Sequence, residues 1–286
     1  MKKIESIKKI AVVGAGTMGQ GIAQVSAMSG YDTILFDMSE EATKKASKQI
    51  SLNLEKAVLL HKISEEEKEK CMQRLVFSSE LKMVTGDVII EAIIEDLTIK
   101  QQLFNSISLQ NDEDTVFASN TSSIPITQIA RGILHPERVV GMHFFNPAHL
   151  MKLVEVISGA ATDEGVATCI FELAKKMGKT AVFVKDSPGF VVNRVARHYY
   201  VEALKLMEEN VAPFESIDRQ MESLDFKMGP FRLMDLIGVD TNFSVTSSMY
   251  ASFHQDAKFR PSRIQQQKVD AGFHGKKTGK GFYEYK

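Results

Sequence analysis

A histidine and a glutamate near the middle of the chain are the side chains best suited to acid–base chemistry. His143 ends an apolar run, Arg138-Val139-Val140-Gly141-Met142, that is typical of a buried strand. Glu155 follows twelve residues later, inside a second short apolar run, Leu153-Val154-Glu155-Val156. An imidazole beside a carboxylate forms an oriented general base, because the carboxylate fixes the tautomer of the histidine and stabilises its cation. The pair predicts proton transfer, provided that the two runs lie side by side with both side chains on one face.

Two other interpretations of His143 compete with catalysis. A histidine at a strand end is ordinarily a hydrogen-bonded core residue, and only the motifs around this one favour a catalytic role. A metal site built on His143 and His149 is disfavoured, because no cluster that would supply a third ligand accompanies them. The sequence therefore predicts no metal.

A glycine-rich turn near the start of the chain predicts a dinucleotide site. The strand-like run Lys9-Ile10-Ala11-Val12-Val13 leads into Gly14-Ala15-Gly16-Thr17-Met18-Gly19, and helical periodicity follows. In such a turn Gly14 permits the tight bend, Gly16 lets backbone amides approach a pyrophosphate, and Gly19 lets helix and strand pack closely. The helix N-terminus adds a partial positive charge that favours phosphate.

An acid at the end of the second strand-like run selects between cofactors. Asp37 follows Thr33-Ile34-Leu35-Phe36, where a carboxylate would bind the ribose 2′-hydroxyl and repel a 2′-phosphate. NAD is therefore favoured over NADP. A flavin in the same fold is a minor alternative, since the sequence has no second feature that is typical of flavin binding.

The order of strand-like and helical segments predicts an α/β fold. An N-terminal Rossmann-type, parallel, doubly wound sheet is expected, with a helical hairpin inserted at about residues 40–74, followed by an all-helical C-terminal domain. The predicted domains are residues 1–185, which bind NAD, and residues 186–286, which complete the substrate site and form a dimer. The dimer is inferred from the dense apolar side chains of the second domain.

Three polar clusters fall where predicted strands end. They are Glu91–Glu95, Asn120–Ser123 and His143–Asn146. In open parallel sheets, ligands bind in the crevice outside the carboxyl ends of the strands. We therefore expect the three clusters to line one site.

Composition excludes several classes of protein. The formal net charge of -1 gives no general attraction to nucleic acid or an anionic membrane, and no apolar run has the length of a membrane span. Two cysteines make neither a disulfide framework nor a zinc cluster, so a reducing, cytoplasmic location is expected. The glycine- and lysine-rich tail, Gly275–Tyr283, lacks the spacing of a P-loop, which argues against an NTPase.

Taken together, these motifs resemble the 3-hydroxyacyl-CoA dehydrogenase family, and most of all its stand-alone, short-chain 3-hydroxybutyryl-CoA dehydrogenases. The resemblance covers nearly the whole chain. It rests on the order and spacing of the glycine turn, Ser119-Asn120-Thr121-Ser122-Ser123, His143-Phe144-Phe145-Asn146-Pro147 with Glu155, Pro188-Gly189-Phe190-Val191-Val192-Asn193-Arg194, and the tail.

The resemblance implies a role for individual residues. His143 matches the catalytic histidine and Glu155 its acidic partner, while Ser122 and Asn193 match polar residues that contact the reacting oxygen of the substrate. Asn53 and Lys56 lie near the positions at which the family receives the CoA moiety. The cofactor-binding residues expected from the turn and the resemblance are Gly14, Gly16, Thr17, Met18, Gly19, Asp37, Glu95, Lys100, Asn120, Asn146 and Lys277.

The activity implied is NAD-dependent, reversible oxidation of (S)-3-hydroxyacyl-CoA to 3-oxoacyl-CoA, as in fatty acid and butanoate metabolism. A homodimer with an acyl-CoA substrate is expected. Two alternatives remain open: a related dehydrogenase of a free hydroxy acid, such as a gulonate-type substrate, and a non-catalytic NADH-binding protein. The presence of Ser122, His143, Glu155 and Asn193 argues against the second alternative.

Overall fold

The computed structural model describes residues 3–285, which form two compact units. The first unit ends at Ser187 and the second begins at Pro188. The sequence-based boundary lies between residues 185 and 186. Among the described residues, no helix combines the length and the apolar character needed to span a membrane.

The first unit is built on one eight-stranded sheet with the strand order β3-β2-β1-β4-β5-β6-β7-β8. The order reverses direction at β1, as in a doubly wound fold. The predicted fold class is confirmed. The strands are β1 Lys9–Val13, β2 Asp32–Phe36, β3 Leu75–Ser78, β4 Val88–Glu91, β5 Val116–Ser119, β6 Val139–Phe144, β7 Leu153–Ser158 and β8 Thr180–Lys185.

Two features of the sheet differ from the prediction. Strand β3 was not predicted, and it pairs in parallel with β2 at the edge of the sheet. Strand β7 runs antiparallel to β6, whereas every other pairing is parallel. The physical reason is the short connection between β6 and β7, residues 145–152, because a parallel return needs a crossover of a dozen or more residues.

Helices cover the sheet of the first unit. Inward-facing residues of the strands, such as Val12 and Ile90, and of the helices, such as Ile22 and Ile170, form its core. Six helices are involved: α1 Thr17–Met28, α2 Glu40–Leu59, α3 Glu65–Gln73, α4 Leu97–Ser108, α5 Ile126–Ile129 and α6 Glu164–Lys176.

Helices α2 and α3 are the inserted hairpin that the sequence predicts. Helix α3 begins with a capping box, in which Ser64 and Glu67 satisfy each other's backbone amides. Thr43, Ala46, Ile50 and Leu54 form the buried stripe of α2. The remaining faces of α2 are polar, so one side of the hairpin packs on the domain and the other is left for solvent or ligand.

The second unit is helical apart from isolated β-bridges in its tail. Residues 231–252 divide into two helices at Gly238, where φ is +107°. The core of the second unit includes Tyr200, Leu204, Phe231 and Met234. Its helices are α7 Val192–Glu208, α8 Phe214–Ser223, α9 Pro230–Ile237, α10 Val239–Ser252 and α11 Arg263–Asp270.

Candidate active site

His143 and Glu155 face each other across two neighbouring strands. The antiparallel register of β6 and β7 pairs the two residues directly, and paired positions project to the same face of a sheet. His143 Nδ1 lies 2.8 Å from Glu155 Oε2, and the side chains are only 7% and 2% exposed. An ionised carboxylate can only accept hydrogen bonds, so Nδ1 is the donor. The structure therefore brings together the acid–base pair that the sequence predicts.

The turn after β1 has the backbone that its glycines predict. Gly14 has φ of +104°, and a Cβ on Gly19 would meet the carbonyl oxygen of Gly14 at 1.7 Å. Gly16 is the N-cap of α1, and a Cβ built there would meet no atom within 4 Å. No described side chain caps this helix end. The first amides of α1 therefore face open space next to Gly16, which is the environment that a phosphate requires.

Asp37 is bound to the glycine turn. Its Oδ2 accepts a hydrogen bond from the amide of Ala15 at 2.8 Å, and its Oδ1 accepts one from the amide of Ser39 at 2.9 Å. The carboxylate thus holds β2 and the turn after β1 in one arrangement. Each oxygen retains a second lone pair for a ribose hydroxyl.

A cavity of about 1010 Å³ opens beside this turn. Gly14, Gly16, Thr17, Met18 and Asp37 line it, as expected for cofactor-binding residues. The sequence did not predict its apolar wall. That wall comes from the end of β4 and from α4, through Ala92, Ile93, Ile94, Ile99 and Leu103.

These features fit a dinucleotide. A glycine that leaves room for phosphate, an uncapped helix N-terminus and an acid at the end of β2 are the three parts of the fingerprint. Ile94 and Ile99 leave apolar side chains exposed at this cavity, which suits the apolar face of an adenine ring. For Ile94, the apolar residues directly after a central strand were the signal available in the sequence, whereas Ile99 lies within α4 and had no such signal.

The Ser-Asn-Thr-Ser-Ser segment forms a turn at the end of β5, held by Glu95. Glu95 Oε1 accepts hydrogen bonds from Thr121 Oγ1 at 2.6 Å, from the amide of Ser122 at 2.9 Å and from the amide of Ser123 at 3.2 Å. Burial opposes ionisation of Glu95, but Lys100 and these donors outweigh it, so its pKa lies below the usual range. Glu95 and Ser122 are therefore neighbours, as the clusters at the strand ends predict.

The side chains of Asn120 and Lys100 are bound to other protein groups, although both residues were expected to contact the cofactor. Asn120 Oδ1 accepts a hydrogen bond from the amide of Phe144 at 2.9 Å, which ties the end of β5 to the residue after His143. Lys100 is 1% exposed, and its ammonium contacts the carboxylates of Glu91 and Glu95. The cofactor roles assigned to these two residues remain predictions.

A second cavity, of about 580 Å³, lies between the helical hairpin and the loop that follows His143. Asn53 and Lys56 line it, as predicted for the CoA site, together with Lys62, Lys152 and Lys179. None of the described residues that line this cavity is acidic. Four lysines around one cavity make it a strong site for a multiply charged anion.

Lys179 shapes the loop at the mouth of this cavity. Its ammonium donates to the carbonyl oxygens of Ala148 at 2.6 Å and Met151 at 2.8 Å. Burial lowers the pKa of Lys179, and burial together with Lys179 lowers the pKa of His149. Neither residue was predicted for a CoA site: His149 was considered only as a metal ligand, and lysines far apart along the chain do not indicate that they share a cavity. Asn146, in the same loop, is exposed.

Two predicted site residues belong to the second unit. Asn193 lies in the first turn of α7. Lys277 pairs with Asp240, whose Oδ2 lies 2.7 Å from the ammonium. Among residues 3–285, no group of three or more His, Cys, Asp and Glu side chains is placed to hold a metal ion.

Comparison with known proteins gives consistent matches over both units. Residues 9–187 match the family model described as 3-hydroxyacyl-CoA dehydrogenase, NAD binding domain, and residues 189–285 match the one described as 3-hydroxyacyl-CoA dehydrogenase, C-terminal domain. A 3-hydroxyadipyl-CoA dehydrogenase of Escherichia coli is 44% identical over 98% of this chain, which spans 60% of the length of that relative.

Two further relatives match along their whole length. A probable 3-hydroxybutyryl-CoA dehydrogenase of Bacillus subtilis is 42% identical, and the match covers 98% of each chain. The crystal structure of (S)-3-hydroxybutyryl-CoA dehydrogenase from Ralstonia eutropha superposes with a TM-score of 0.94 at 37% identity. That match covers 98% of this chain and 100% of the other.

Proposed function

Because the chain belongs to the 3-hydroxyacyl-CoA dehydrogenase family, we propose that it oxidises (S)-3-hydroxyacyl-CoA to 3-oxoacyl-CoA with NAD and catalyses the reverse reduction. The observation that carries this proposal is the buried pair of His143 and Glu155. The names of the relatives from Bacillus subtilis and Ralstonia eutropha support 3-hydroxybutyryl-CoA as the substrate.

His143 is the proposed acid–base. When bound, NAD supplies the nicotinamide that accepts a hydride from C3 of the substrate. The C3 hydroxyl must lose its proton in the same reaction, because the product is a carbonyl. Since Nδ1 is engaged with Glu155, His143 takes this proton at Nε2 and returns it during reduction. Histidine serves both directions because it changes charge near neutral pH.

Glu155 and Ser122 have supporting roles in this mechanism. Glu155 keeps the tautomer of His143 fixed and stabilises the imidazolium that forms. Ser122 is proposed to donate a hydrogen bond to the C3 oxygen while charge develops on it, and the resemblance gives Asn193 the same kind of role. The cofactor-binding roles of Glu95, Lys100, Asn120, Asn146 and Lys277 belong to the same proposal.

The cavity that Asn53 and Lys56 line is the proposed site for the CoA moiety. CoA carries several phosphate charges, and the four lysines around this cavity provide opposite charge without an acidic neighbour among the described lining residues. The loop after His143 forms one wall of the cavity.

The proposed organisation assigns NAD binding to residues 1–185 and assigns completion of the substrate site and dimerisation to residues 186–286. Large exposed apolar side chains of the second unit, including Val195, Leu236 and Ile237, support a homodimer. A cytoplasmic enzyme of fatty acid or butanoate metabolism is consistent with these features and with two buried, unpaired cysteines.

Turnover of acetoacetyl-CoA with NADH tests the proposed function. We expect rapid NADH oxidation with acetoacetyl-CoA, far slower oxidation with free acetoacetate, and slower turnover with NADPH. Longer 3-oxoacyl-CoA substrates then define the chain-length preference. Faster reaction with a free acid would favour a gulonate-type enzyme, and NADH binding without any turnover would favour a non-catalytic protein.

A further inference from the structure

A single buried ammonium holds two carboxylates beneath the turn that carries Ser122. Lys100 lies in the first turn of α4 and is 1% exposed. Its Nζ lies 2.5 Å from Glu91 Oε1 and 3.2 Å from Glu95 Oε2. Burying such charges is expensive, and a buried ion pair is often no more stabilising than apolar residues of the same size. A contribution to stability alone therefore does not explain this cluster, whereas a role in the function of the site would.

The two carboxylates have different surroundings. Glu91 is completely buried at the end of β4, where it also accepts hydrogen bonds from Ser119 Oγ at 2.6 Å and from the amide of Ile93 at 2.8 Å. The side chain of Glu95 is 38% exposed and lies on the side of Ser122. Glu91 thus anchors the ammonium inside the domain, and the ammonium in turn reaches Glu95 at the surface.

Glu95 divides its two oxygens between the ammonium and the turn. Oε2 contacts Lys100, whereas Oε1 accepts hydrogen bonds from three consecutive residues, Thr121, Ser122 and Ser123. Because a carboxylate is rigid and planar, fixing one oxygen fixes the direction of the other. The position of Lys100 therefore determines where the amides of Ser122 and Ser123 are held.

We propose that Glu91 and Lys100 are positioning residues for Ser122, and that they act through Glu95. This role of Lys100 does not depend on the contact with the dinucleotide that is also proposed for it. This inference rests on the proposed role of Ser122 as a donor to the C3 oxygen. It explains why a partly exposed turn, which has no helix or strand of its own, is tied to a buried charge cluster.

Geometry is the reason that such support matters. A hydrogen bond that stabilises a transition state requires its donor within a few tenths of an ångström of the correct place. Turns at the surface are ordinarily the more mobile parts of a domain. Loss of the ammonium would remove the contact that holds Oε2, so Glu95 and the turn bound to its Oε1 could shift together.

The double variant Glu91→Gln/Lys100→Met tests this inference. It removes one negative and one positive charge together, so no unpaired charge is left at Glu91 or Lys100 and the domain should fold. The matched control is Glu172→Gln/Lys175→Met, which removes an exposed ion pair of α6. Both double changes are made in the native chain and in Ser122→Ala, and kcat is measured with acetoacetyl-CoA and NADH.

In the native background we expect the Glu91/Lys100 variant to lower kcat roughly 10- to 100-fold, the usual effect of a misplaced catalytic contact. In the Ser122→Ala background the same change should lower kcat less than about twofold, because the group it positions is already absent. The control pair should leave kcat unchanged in both backgrounds. Hydrogen exchange of residues 120–124 should accelerate in the Glu91/Lys100 variant alone.

The outcomes distinguish the role of Ser122 from the positioning role of Glu91 and Lys100. Native kcat in Ser122→Ala itself would overturn the role of Ser122 on which the inference rests. A slow Ser122→Ala with an equal effect of the double change in both backgrounds would overturn the positioning role only. If the double variant does not fold, Glu95→Gln is used in its place, because it weakens the connection between Lys100 and the turn. Glu95→Gln must then lower kcat in the native chain and have little further effect in Ser122→Ala.

Discussion

The carboxylate of Asp37 accepts a hydrogen bond from the amide of Ala15 across 2.8 Å, so the acid that follows β2 also fixes the turn that follows β1. The shape of the glycine turn and the proposed selection of the cofactor therefore depend on one side chain. A substitution at Asp37 removes a support for the turn and the proposed ribose acceptor.

For Asp37→Ala we expect a weaker affinity for NADH. A hydrogen bond to a charged group is worth roughly 1.5–3 kcal/mol, so Kd should rise roughly 10- to 100-fold. The preference for NADH over NADPH should narrow, because the repulsion of a 2′-phosphate is also lost. Fluorescence titration with both nucleotides measures this, with Asp32→Ala at the exposed start of β2 as the control. An unchanged Kd for NADH would exclude Asp37 from the cofactor site.

Alanine at two glycines of the turn should separate cofactor binding from folding. At Gly16 the added methyl group meets no atom within 4 Å, so the free energy of unfolding should change by less than about 0.5 kcal/mol. Its Cβ occupies the space proposed for phosphate, and the Kd for NADH should rise at least about tenfold.

At Gly19 the same change has a different expected result. The methyl group would lie 1.7 Å from the carbonyl oxygen of Gly14, so the backbone must move and stability should fall by about 3 kcal/mol or more. Urea unfolding and NADH titration of both variants measure the contrast. A Gly16→Ala variant that unfolds easily but binds NADH normally would show that Gly16 is needed for folding and not for cofactor binding.

The sequence was sufficient for local features and for the pairing of His143 with Glu155, but not for most contacts between distant parts of the chain. The glycine turn, Asp37 and the capping box at Ser64 are each encoded by neighbouring residues, so pattern and spacing predict them. Strand β3 was missed because Leu75 follows α3 after a single residue, without the glycine or proline that usually separates two elements.

Polar contacts between residues far apart along the chain were also not predicted from the sequence. Lys100 occupies an amphipathic helix, where a lysine is normally solvated, and nothing in its neighbourhood along the chain indicates a buried ammonium between Glu91 and Glu95. The contact of Asn120 with the backbone of Phe144 depends likewise on the alignment of β5 with β6. Such contacts exist only once the order of the strands is known.

The buried thiol of Cys71 predicts a loss of stability at high pH. Burial raises the pKa of Cys71 from its ordinary value of 9.0 to about 11. The folded chain therefore holds this proton more tightly than the unfolded chain does, and the stability it contributes is complete below pH 9.0 and is lost as pH rises towards about 11. The contribution is about 3 kcal/mol at most, since one pKa unit corresponds to about 1.36 kcal/mol.

Comparing the native chain with Cys71→Ala isolates this contribution, because other groups that titrate in the same range cancel in the difference. Unfolding by urea across this pH range should show a shallower decline for Cys71→Ala. Ile50→Val, a change in the buried stripe of α2 that removes no titratable group, should keep the native slope. Parallel pH profiles for all three proteins would show that Cys71 does not cause this loss of stability at high pH.

The lysine-lined cavity predicts a substrate effect that depends on the phosphates of CoA. For Lys56→Ala we expect KM for acetoacetyl-CoA to rise about tenfold with little change in kcat, because a charge-assisted contact to the non-reacting part of the substrate is lost. The KM of the native chain should rise with ionic strength more steeply than that of the variant.

Two controls make this prediction specific. Lys44→Ala, in the same helix, removes a lysine that is 72% exposed and paired with Glu40, and it should leave KM unchanged. Acetoacetyl-pantetheine lacks the CoA phosphates, so the native chain and Lys56→Ala should have equal KM for it. A tenfold difference that persists with pantetheine would place the effect elsewhere in the site.

The chain contains a second histidine–carboxylate pair that serves as a control for the first. His135 Nδ1 lies 3.0 Å from Glu137 Oε1, much like His143 and Glu155, but its side chain is 41% exposed. For His143→Gln we expect kcat to fall roughly 10²- to 10⁴-fold, the usual contribution of a positioned acid–base, while NADH still binds. Glu155→Gln should also lower kcat, because an amide no longer stabilises the imidazolium. His135→Gln should have native kcat. Steady-state turnover with acetoacetyl-CoA measures all three, and near-native turnover of His143→Gln would remove this residue from the reaction.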